Sequence, residues 1–457
     1  MLYNHYIIYC FACKKAVQNA NFSDFGAVAH NHNIFYGGFS MKKLLAILMA
    51  LALVVCCFAA CGKTDDAKTD DAAASDFLVG AIYINSQNDT AGYTFAHHNG
   101  ITKAMEQLGL PKENLKIVDN VPEDTEQVSK AIDTLANQGC KIIFGISFGY
   151  IDAFAEAADK PEYADIIFSH ATGYKSNDKN FNNYFGRIYQ ARYLAGIAAG
   201  LKSLELNNNS IGYVAAWGTE YAETCSGINA FALGVQSVNP DAVVHVNKIS
   251  TWGDEAKEKA AAEALINTYN CCVIAQHCDS AQPQLAAANG KVFGCGYNSD
   301  MTAQAPSAHL TAPIWNWDVY YKLAIETAMT DPANFMSKVG IYYGGLKEGF
   351  VDISPLSDNC TPETKAIIEK VKAMMVNGEW DVFTNVKLSI DKDGTITKTE
   401  GALKDNKGAE VISADGSTYY TYNKDTGALE AVEGGKDACD GVIKGSMNYY
   451  VAGVTEG

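Results

Sequence analysis

The sequence predicts a two-lobed α/β protein in which parallel sheets are flanked by helices, with a small β appendage at its carboxyl end. From residue 77 onward, short apolar runs alternate with helical patterns, an order typical of parallel sheets covered on both faces. This part spans about 380 residues, more than one hydrophobic core usually organises. From about residue 386 the pattern changes to hairpins with Asp-Gly or Thr-Gly turns, as in SIDKDGTITKTE.

A run without charge precedes the predicted folded body, from Leu44 to Ala60, after Lys42-Lys43 and before the acidic segment that follows Cys61. A basic segment, an apolar core and small residues before a cut site form the layout of a secretory signal. FAACG, residues 58–62, resembles the bacterial lipoprotein signal. That resemblance implies a signal peptide at 41–60 and a lipid on Cys61, which would anchor the protein to the cell membrane facing outside the cytoplasm. An uncleaved anchor helix is the alternative.

The segments on either side of the signal are not expected to form a core. Residues 1–40 are rich in Tyr, Phe, Asn and His without a period, and we interpret them as a mis-assigned leader, with Met41 as the start. A separate domain there is disfavoured because so few aliphatic side chains cannot bury a useful core. Residues 61–76 carry a KTDDA unit twice and are predicted to be a flexible acidic tether.

Eight apolar runs are predicted to be strands. They are FLVGAIYI (77–84), LKIVDNV (115–121), CKIIFGIS (140–147), ADIIFSHAT (164–172), SIGYVAAW (210–217), AVVHVNKIS (242–250), CCVIAQH (271–277) and KVFGCGYN (291–298). Ligands of such sheets bind beyond the carboxyl ends of the strands, so two sheets would place a site in the cleft between them.

The predicted division of the body follows this pattern. Residues 77–190 are predicted to form the first part of lobe 1, and residues 191–305 the main part of lobe 2. Residues 306–385 are predicted to hold the lobe crossings and the remaining elements of both lobes, and residues 386–457 a β-rich extension.

Composition and motifs argue against several classes of function. The formal net charge is −17 and no basic cluster occurs, which argues against nucleic-acid binding. Eight cysteines follow Cys61 without a CxxC spacing, so we expect no metal site and mostly buried thiols. The absence of GxSxG, HExxH, Walker and GxGxxG motifs predicts that the protein is not an enzyme and needs no cofactor.

Several segments in order, among them GYTFAHHNGI, FSHATGYKS, YQARYLAGIAAG, GINAFALGVQSVNP and GYNSDM, resemble the BMP (basic membrane protein) family of bacterial ABC-importer lipoproteins. The resemblance runs from about Phe77 to Gly453, apart from an apparent insertion near 413–435. It implies a type I periplasmic-binding-protein fold, a purine base or nucleoside as ligand, and delivery to ABC permease subunits. A membrane-tethered sensor of the same fold is the alternative, and a permease and ATPase encoded beside this gene would separate the two.

The resemblance implies a stacking aromatic in each lobe, at Tyr93 in GYTFAHHNG and at Trp252 in STWGDEAKEK. Two rings around a planar base bury a large area, and aromatic pairing adds about 0.5–1.5 kcal/mol. The alternatives are an ordinary turn aromatic for Tyr93 and lobe packing for Trp252. Stacking alone does not choose among bases, so polar groups must lie at the ring edge.

Four polar residues follow predicted strands in AQHCDS and GYNSDM: His277, Asp279, Asn298 and Asp300. Carboxylates there could accept hydrogen bonds from an exocyclic amine or a ring nitrogen, and an unpaired buried partner costs ~1–3 kcal/mol. Asp300 is the strongest candidate of the four.

The resemblance also places Tyr189 and Gln190 in a segment that contacts ligand in relatives, with Gln190 where a glutamate is common. Asp89 lies one position from an acidic residue of the family. Phe148 and Trp317 are expected on the cleft wall or hinge, and core packing is the alternative for each.

Overall fold

The structure is a computed structural model that describes residues 76–457. The predicted leader, the signal peptide, the tether up to residue 75 and Cys61 lie outside the described residues.

The elements of the first lobe and of the first crossing are, in chain order, β1 (Val79–Tyr83), α1 (Gly92–Gln107), β2 (Leu115–Val118), α2 (Thr125–Asn137), β3 (Ile142–Ile146), α3 (Ile151–Ala158), β4 (Ile167–Ala171), β5 (Phe181–Gly186) and α4 (Ile188–Glu205). The next group is β6 (Ser210–Ala215), α5 (Ala222–Val238), β7 (Val243–Lys248), α6 (Glu255–Tyr269), β8 (Val273–His277), α7 (Gln282–Asn289) and β9 (Phe293–Cys295).

The third group is β10 (His309–Thr311), β11 (Pro313–Trp315), α8 (Trp317–Thr330), α9 (Phe335–Lys338), β12 (Tyr342–Gly344), β13 (Val351–Ile353) and α10 (Pro362–Val376). The last group is β14 (Val386–Ile390), β15 (Ile396–Glu400), β16 (Leu403–Lys404), β17 (Glu410–Ile412), β18 (Thr418–Tyr422), β19 (Leu429–Glu433), α11 (Gly435–Gly441), a π-helix at Val442–Ser446 and β20 (Val454–Glu456).

Two six-stranded sheets organise these elements. The first has the order β12-β5-β4-β3-β1-β2 and the second β10-β9-β8-β6-β7-β20, and neighbouring strands in both are parallel. β1, β3 and β4 are buried along their whole length, as expected where helices cover both faces of a parallel sheet. The predicted fold class is confirmed, and each of the eight predicted runs contains a strand, shorter than the run.

Side-chain caps mark where several helices begin. Asp124 accepts the Gln127 N–H before α2, and Asp254 accepts the Lys257 N–H before α6. Thr361 accepts the Thr364 N–H before α10, which begins with Pro362. Such caps satisfy N–H groups that have no partner inside the helix.

The chain passes between the two lobes at three places. It leaves the first sheet after β5 and enters α4, which packs along α5. It returns through β11 into α8, which packs on α1, and leaves again through β13 to α10, which packs on α4. β11 and β13 pair antiparallel, so two of the crossings are hydrogen-bonded to one another.

The carboxyl-terminal part forms the predicted hairpins. β14 and β15 pair across Asp393-Gly394, and β17, β18 and β19 pair across Gly416 and Gly427. These three glycines have positive φ angles of 73°, 72° and 67°, which the turns require. The chain then returns to the body, where β20 pairs in parallel with β7.

Two further properties of residues 76–457 bear on function. No helix in this range is long and apolar enough to cross a membrane. Its eight cysteines are free and all but Cys439 are buried, which confirms the prediction that most of the thiols are buried.

Candidate ligand-binding cleft

The carboxyl ends of the two sheets meet at a direct contact between main-chain atoms. Gly92 follows β1 and opens α1 with a φ of 85°, and it packs against the carbonyl oxygen of Asp279, which follows β8. A Cβ atom at residue 92 would lie within 3.0 Å of that oxygen, so only glycine fits this position. The loops after β1 and β8 therefore border a closed cleft between the lobes.

On the first lobe, Tyr93 begins a row of aromatic rings that runs to the crossing strands. Tyr93 lies edge-on to His97 with ring centroids 4.3 Å apart, and His97 stacks on Trp317 at 3.8 Å. Trp317 stacks in turn on Trp315 of β11 at 4.6 Å. Trp317 is 1% exposed, so its ring is packed into the core beside the hinge and supports the Tyr93 side of the cleft.

On the second lobe, Trp252 lies in a cluster of three aromatic rings. Its ring makes edge contacts with Trp217 at 6.5 Å and Tyr221 at 6.0 Å, and it is half-buried. The Trp252 carbonyl oxygen accepts the Asp279 N–H at 3.1 Å. The main chain of Asp279 is therefore contacted by Trp252 and by Gly92, the residue that precedes Tyr93.

Asp279 and Asn298 form a polar pair at the same place. Asn298 Nδ2 donates to Asp279 Oδ1 at 3.1 Å, while Asn298 Oδ1 is buried without a hydrogen-bond partner among the described residues. Burial raises the pKa of the Asp279 carboxyl to about 7, and the nearby Glu258 and Glu223 carboxylates add to this shift. A free buried acceptor beside a carboxyl that ionises near neutral pH can pair with donors or acceptors of a ligand.

The pKa of Asp279 predicts a specific pH dependence of stability. An aspartate in an unfolded chain ionises near pH 4, whereas Asp279 in the folded protein ionises at about pH 7. Between these values the folded state holds the extra proton, so the free energy of unfolding falls as pH rises. We expect the melting temperature of Asp279→Asn, relative to the wild type, to rise by roughly a few degrees between about pH 4 and pH 7. A pH-independent difference in thermal denaturation would contradict this assignment.

His277 belongs to a buried row of ionisable side chains with Glu223 and Arg192. His277 Nε2 lies 3.0 Å from Glu223 Oε1. Arg192 donates from Nη1 to the Tyr213 hydroxyl at 2.7 Å and to the Gln276 carbonyl oxygen at 3.0 Å. Burial lowers the pKa of His277 and the Arg192 guanidinium lowers it further, so the imidazole is neutral at pH 7 and accepts or donates as its neighbours require.

Sequence reasoning found His277 in this row and missed Glu223 and Arg192. A lone arginine inside the apolar segment YQARYLAGIAAG was the available signal, because a buried charge is costly unless it is paired and hydrogen-bonded. Glu223 and His97 gave no comparable signal, since their contacts, His277 and Trp317, lie far away along the chain.

Asp300, the strongest polar candidate from the sequence, has its carboxylate engaged in a local turn. Oδ1 accepts the N–H of Thr302 at 2.9 Å and its hydroxyl at 2.6 Å, and the side chain is 46% exposed. Together with Asn298 and Trp317, Asp300 lines a cavity of about 260 Å³ to which both lobes contribute. No hydrogen bond among the described residues joins Asp300 to Asp279, and its contact with a ligand stays a prediction.

Tyr189 and Gln190 lie at the first crossing. Both donate to Asp381 Oδ2, at 2.9 and 3.0 Å, and Gln190 Oε1 accepts the Leu346 N–H at 3.0 Å. These bonds tie the crossing to later segments of the chain. The proposed contact of the two side chains with a ligand is still a prediction.

Phe148 and Asp89 follow the carboxyl ends of β3 and β1. Phe148 is 40% exposed, and its ring lies 6.3 Å from Tyr174. Asp89 is half-buried, and burial together with the charge of Asp119 raises the pKa of its carboxyl. Both therefore lie at the carboxyl edge of the first sheet, no ring contact joins Phe148 to Tyr93 among the described residues, and their contact with a ligand stays a prediction.

Two parallel α/β lobes, joined by three crossings and closed over an aromatic and polar cleft, define a solute-binding protein. The chain belongs to the Bmp family: the family model, described as ABC transporter substrate-binding protein PnrA-like, matches residues 77–385. The match ends one residue before β14 begins. The predicted family is thereby confirmed, and with it a role as the substrate-binding protein of an ABC transporter.

Individual relatives agree with this assignment. A purine-binding protein of Brucella abortus (strain 2308) is 33% identical over 378 residues, which cover 83% of this chain and 93% of the relative. A putative ABC transporter glucose-binding protein of Haloferax volcanii is 32% identical over 333 residues, 73% of this chain and 80% of the relative. The crystal structure of an ABC transporter solute-binding protein from Aeropyrum pernix K1 shares the fold, with a TM-score of 0.54, 16% identity, and coverage of 68% of this chain and 93% of that one.

Proposed function

We propose that the protein captures a purine base or nucleoside outside the cytoplasm and delivers it to an ABC permease, while a lipid on Cys61 holds it at the cell membrane. One observation carries the choice of ligand: the main chain of Asp279 contacts Gly92, which precedes Tyr93 on the first lobe, and Trp252 on the second lobe. Two aromatic residues on opposite sides of a cleft suit a flat heteroaromatic ring.

Polar groups at the same contact supply selection at the ring edge. Asn298 Oδ1 accepts from a ring N–H or an exocyclic amine, and Asp279 does the same when it is ionised. A base that leaves such a buried group unpaired loses about 1–3 kcal/mol of binding free energy. Closure of the lobes would bring stacking and edge recognition together, and the closed form is the one we expect the permease to recognise.

Isothermal titration calorimetry tests the ligand class directly. The panel is adenine, guanine and hypoxanthine, their nucleosides, and glucose, because a relative carries the name of a glucose-binding protein. We expect saturable binding of at least one purine and none of glucose. Tight glucose binding without a response to any purine would overturn the proposal, and the ratio of base to nucleoside affinity would settle which form is bound.

The lipid anchor makes a separate prediction about Cys61. Cys61→Ala removes the only thiol at the predicted cleavage site FAACG, so lipid attachment and the cleavage that follows should both be lost. We expect the mature lipid-modified form to disappear from the membrane fraction when it is examined by mass spectrometry. Cys57→Ala, in the same apolar run, is the matched control and should be processed normally. A Cys61→Ala protein that is still lipidated and cleaved would contradict the prediction.

A further inference from the structure

Glu258, in the first turn of α6, is a buried acidic residue that the proposed clamp does not use directly. It is 0% exposed, and a buried carboxylate is costly unless hydrogen bonds compensate it. Its hydrogen bonds therefore indicate what the residue does.

All the hydrogen bonds recorded for the Glu258 carboxylate go to two loops of the cleft. Oε1 accepts the Asp254 N–H at 3.2 Å, two residues after Trp252. Oε2 accepts the Ser280 N–H at 3.1 Å and the Ser280 hydroxyl at 2.5 Å, one residue after Asp279. One carboxylate thus joins the loop of the stacking residue to the loop of the edge residue.

A helix cap accounts for only one of these two connections. A glutamate near the start of a helix commonly accepts the N–H of the capping residue, and the bond from Asp254 is of that kind. The bonds from Ser280 leave the helix and reach the end of another strand. The Asp279 N–H, one residue away, donates to the Trp252 carbonyl oxygen, so the two loops are joined both directly and through Glu258.

We infer that Glu258 is a positioning residue that fixes the Trp252 ring and the Asp279 carboxyl relative to one another. The inference rests on the proposed function, in which these two residues hold the ligand. Because both depend on one carboxylate, stacking and edge recognition are assembled as a unit in the second lobe before the first lobe closes.

Glu258→Gln tests this role with little change of shape. One of the two acceptor oxygens becomes an NH₂ group, which faces an N–H donor either at Asp254 or at Ser280 and breaks that connection. Glu263→Gln, on the exposed side of the same helix, is the matched control. Ser280→Ala removes the hydroxyl bond to Glu258, together with the bond from the Gln282 N–H to Ser280 Oγ at 3.2 Å. It keeps the Ser280 N–H bond and provides a milder variant if Glu258→Gln does not fold.

The first measurement needs no ligand. In the full-length protein, hydrogen exchange of the amides at 250–256, at 279–282 or at both should speed up in Glu258→Gln, according to which connection breaks, and stay unchanged in Glu263→Gln. Ser280→Ala should affect chiefly 279–282. Unchanged exchange of both loops in Glu258→Gln would overturn the inference, whether or not the wild type binds a purine.

The second measurement uses the purine bound best by the wild type. Glu258→Gln should weaken binding about tenfold, as expected for a lost hydrogen bond to a charged group. The double variant Glu258→Gln/Trp252→Ala should lose less binding free energy than the sum of the losses in the two single variants, because Glu258 acts partly through Trp252. Fully additive losses would show that Glu258 does not act through Trp252, and would overturn the inference. A wild type that binds no purine would refute the proposed function and leave the exchange result to decide on Glu258.

Discussion

Gly92→Ala should abolish most ligand binding while leaving the folded protein largely intact. The new Cβ atom would fall within 3.0 Å of the Asp279 carbonyl oxygen on the other lobe, and neither main chain can move without reopening the cleft. Overpacking at a contact of this kind costs about 1–3 kcal/mol, so we expect purine affinity to fall by up to roughly 100-fold in calorimetry.

A second glycine separates this clash from backbone strain. Gly109 follows α1 with a φ of 69° and has no atom within 4 Å of the position of its Cβ. Gly109→Ala therefore carries a similar strain of about 1 kcal/mol or more without touching the other lobe. Both variants should lower the melting temperature slightly, and only Gly92→Ala should lose affinity. Equal affinities in the two variants would mean that the contact seen here is not required for binding.

The sheets could be predicted from the sequence where the strands are long and apolar. The eight predicted runs all supply strands because parallel strands buried on both faces read as continuous apolar segments. The strand β5, FNNYFG, was not predicted because two asparagines interrupt its apolar residues. In the structure Asn182 is buried and donates to the Tyr320 hydroxyl at 2.9 Å and to the Gly340 carbonyl oxygen at 2.7 Å, partners that no local pattern shows.

The short edge strands were beyond sequence reasoning for a different reason. β10, β12 and β20 have three residues each, too few to show a period. Their positions are set by the longer strands beside them. β20, for example, pairs with β7 over Val454–Glu456 although the two are separated by most of the second lobe and the whole extension.

The residues of the candidate cleft also differ in whether the sequence could predict them. Tyr93 and Trp252 could be proposed from the family resemblance, and Asp279 because it follows a predicted strand, where parallel sheets place their ligands. Glu258 could not, since its role depends on hydrogen bonds to residues on two separate loops. Asp300 was proposed from its position after a predicted strand. That position does not reveal that its carboxylate already accepts a hydrogen bond from the hydroxyl of Thr302.

Trp252→Ala and Tyr93→Ala should each weaken purine binding by about 1–3 kcal/mol, the range for removing an aromatic residue stacked on a base. Trp252→Phe should keep most of the affinity, because a ring remains to cover the base. Trp252 also contacts Trp217 and Tyr221, and Tyr93 contacts His97, so each truncation should lower the melting temperature as well.

Calorimetry at a temperature well below both melting transitions separates lost stacking from lost stability. Tyr420→Ala, on β18 of the carboxyl-terminal extension, is an aromatic truncation outside the cleft and should bind as the wild type does. If Tyr93→Ala and Tyr420→Ala were indistinguishable in affinity, the first lobe would contribute no stacking surface. The ligand would then be held by the second lobe alone, through Trp252 and the polar pair of Asp279 and Asn298.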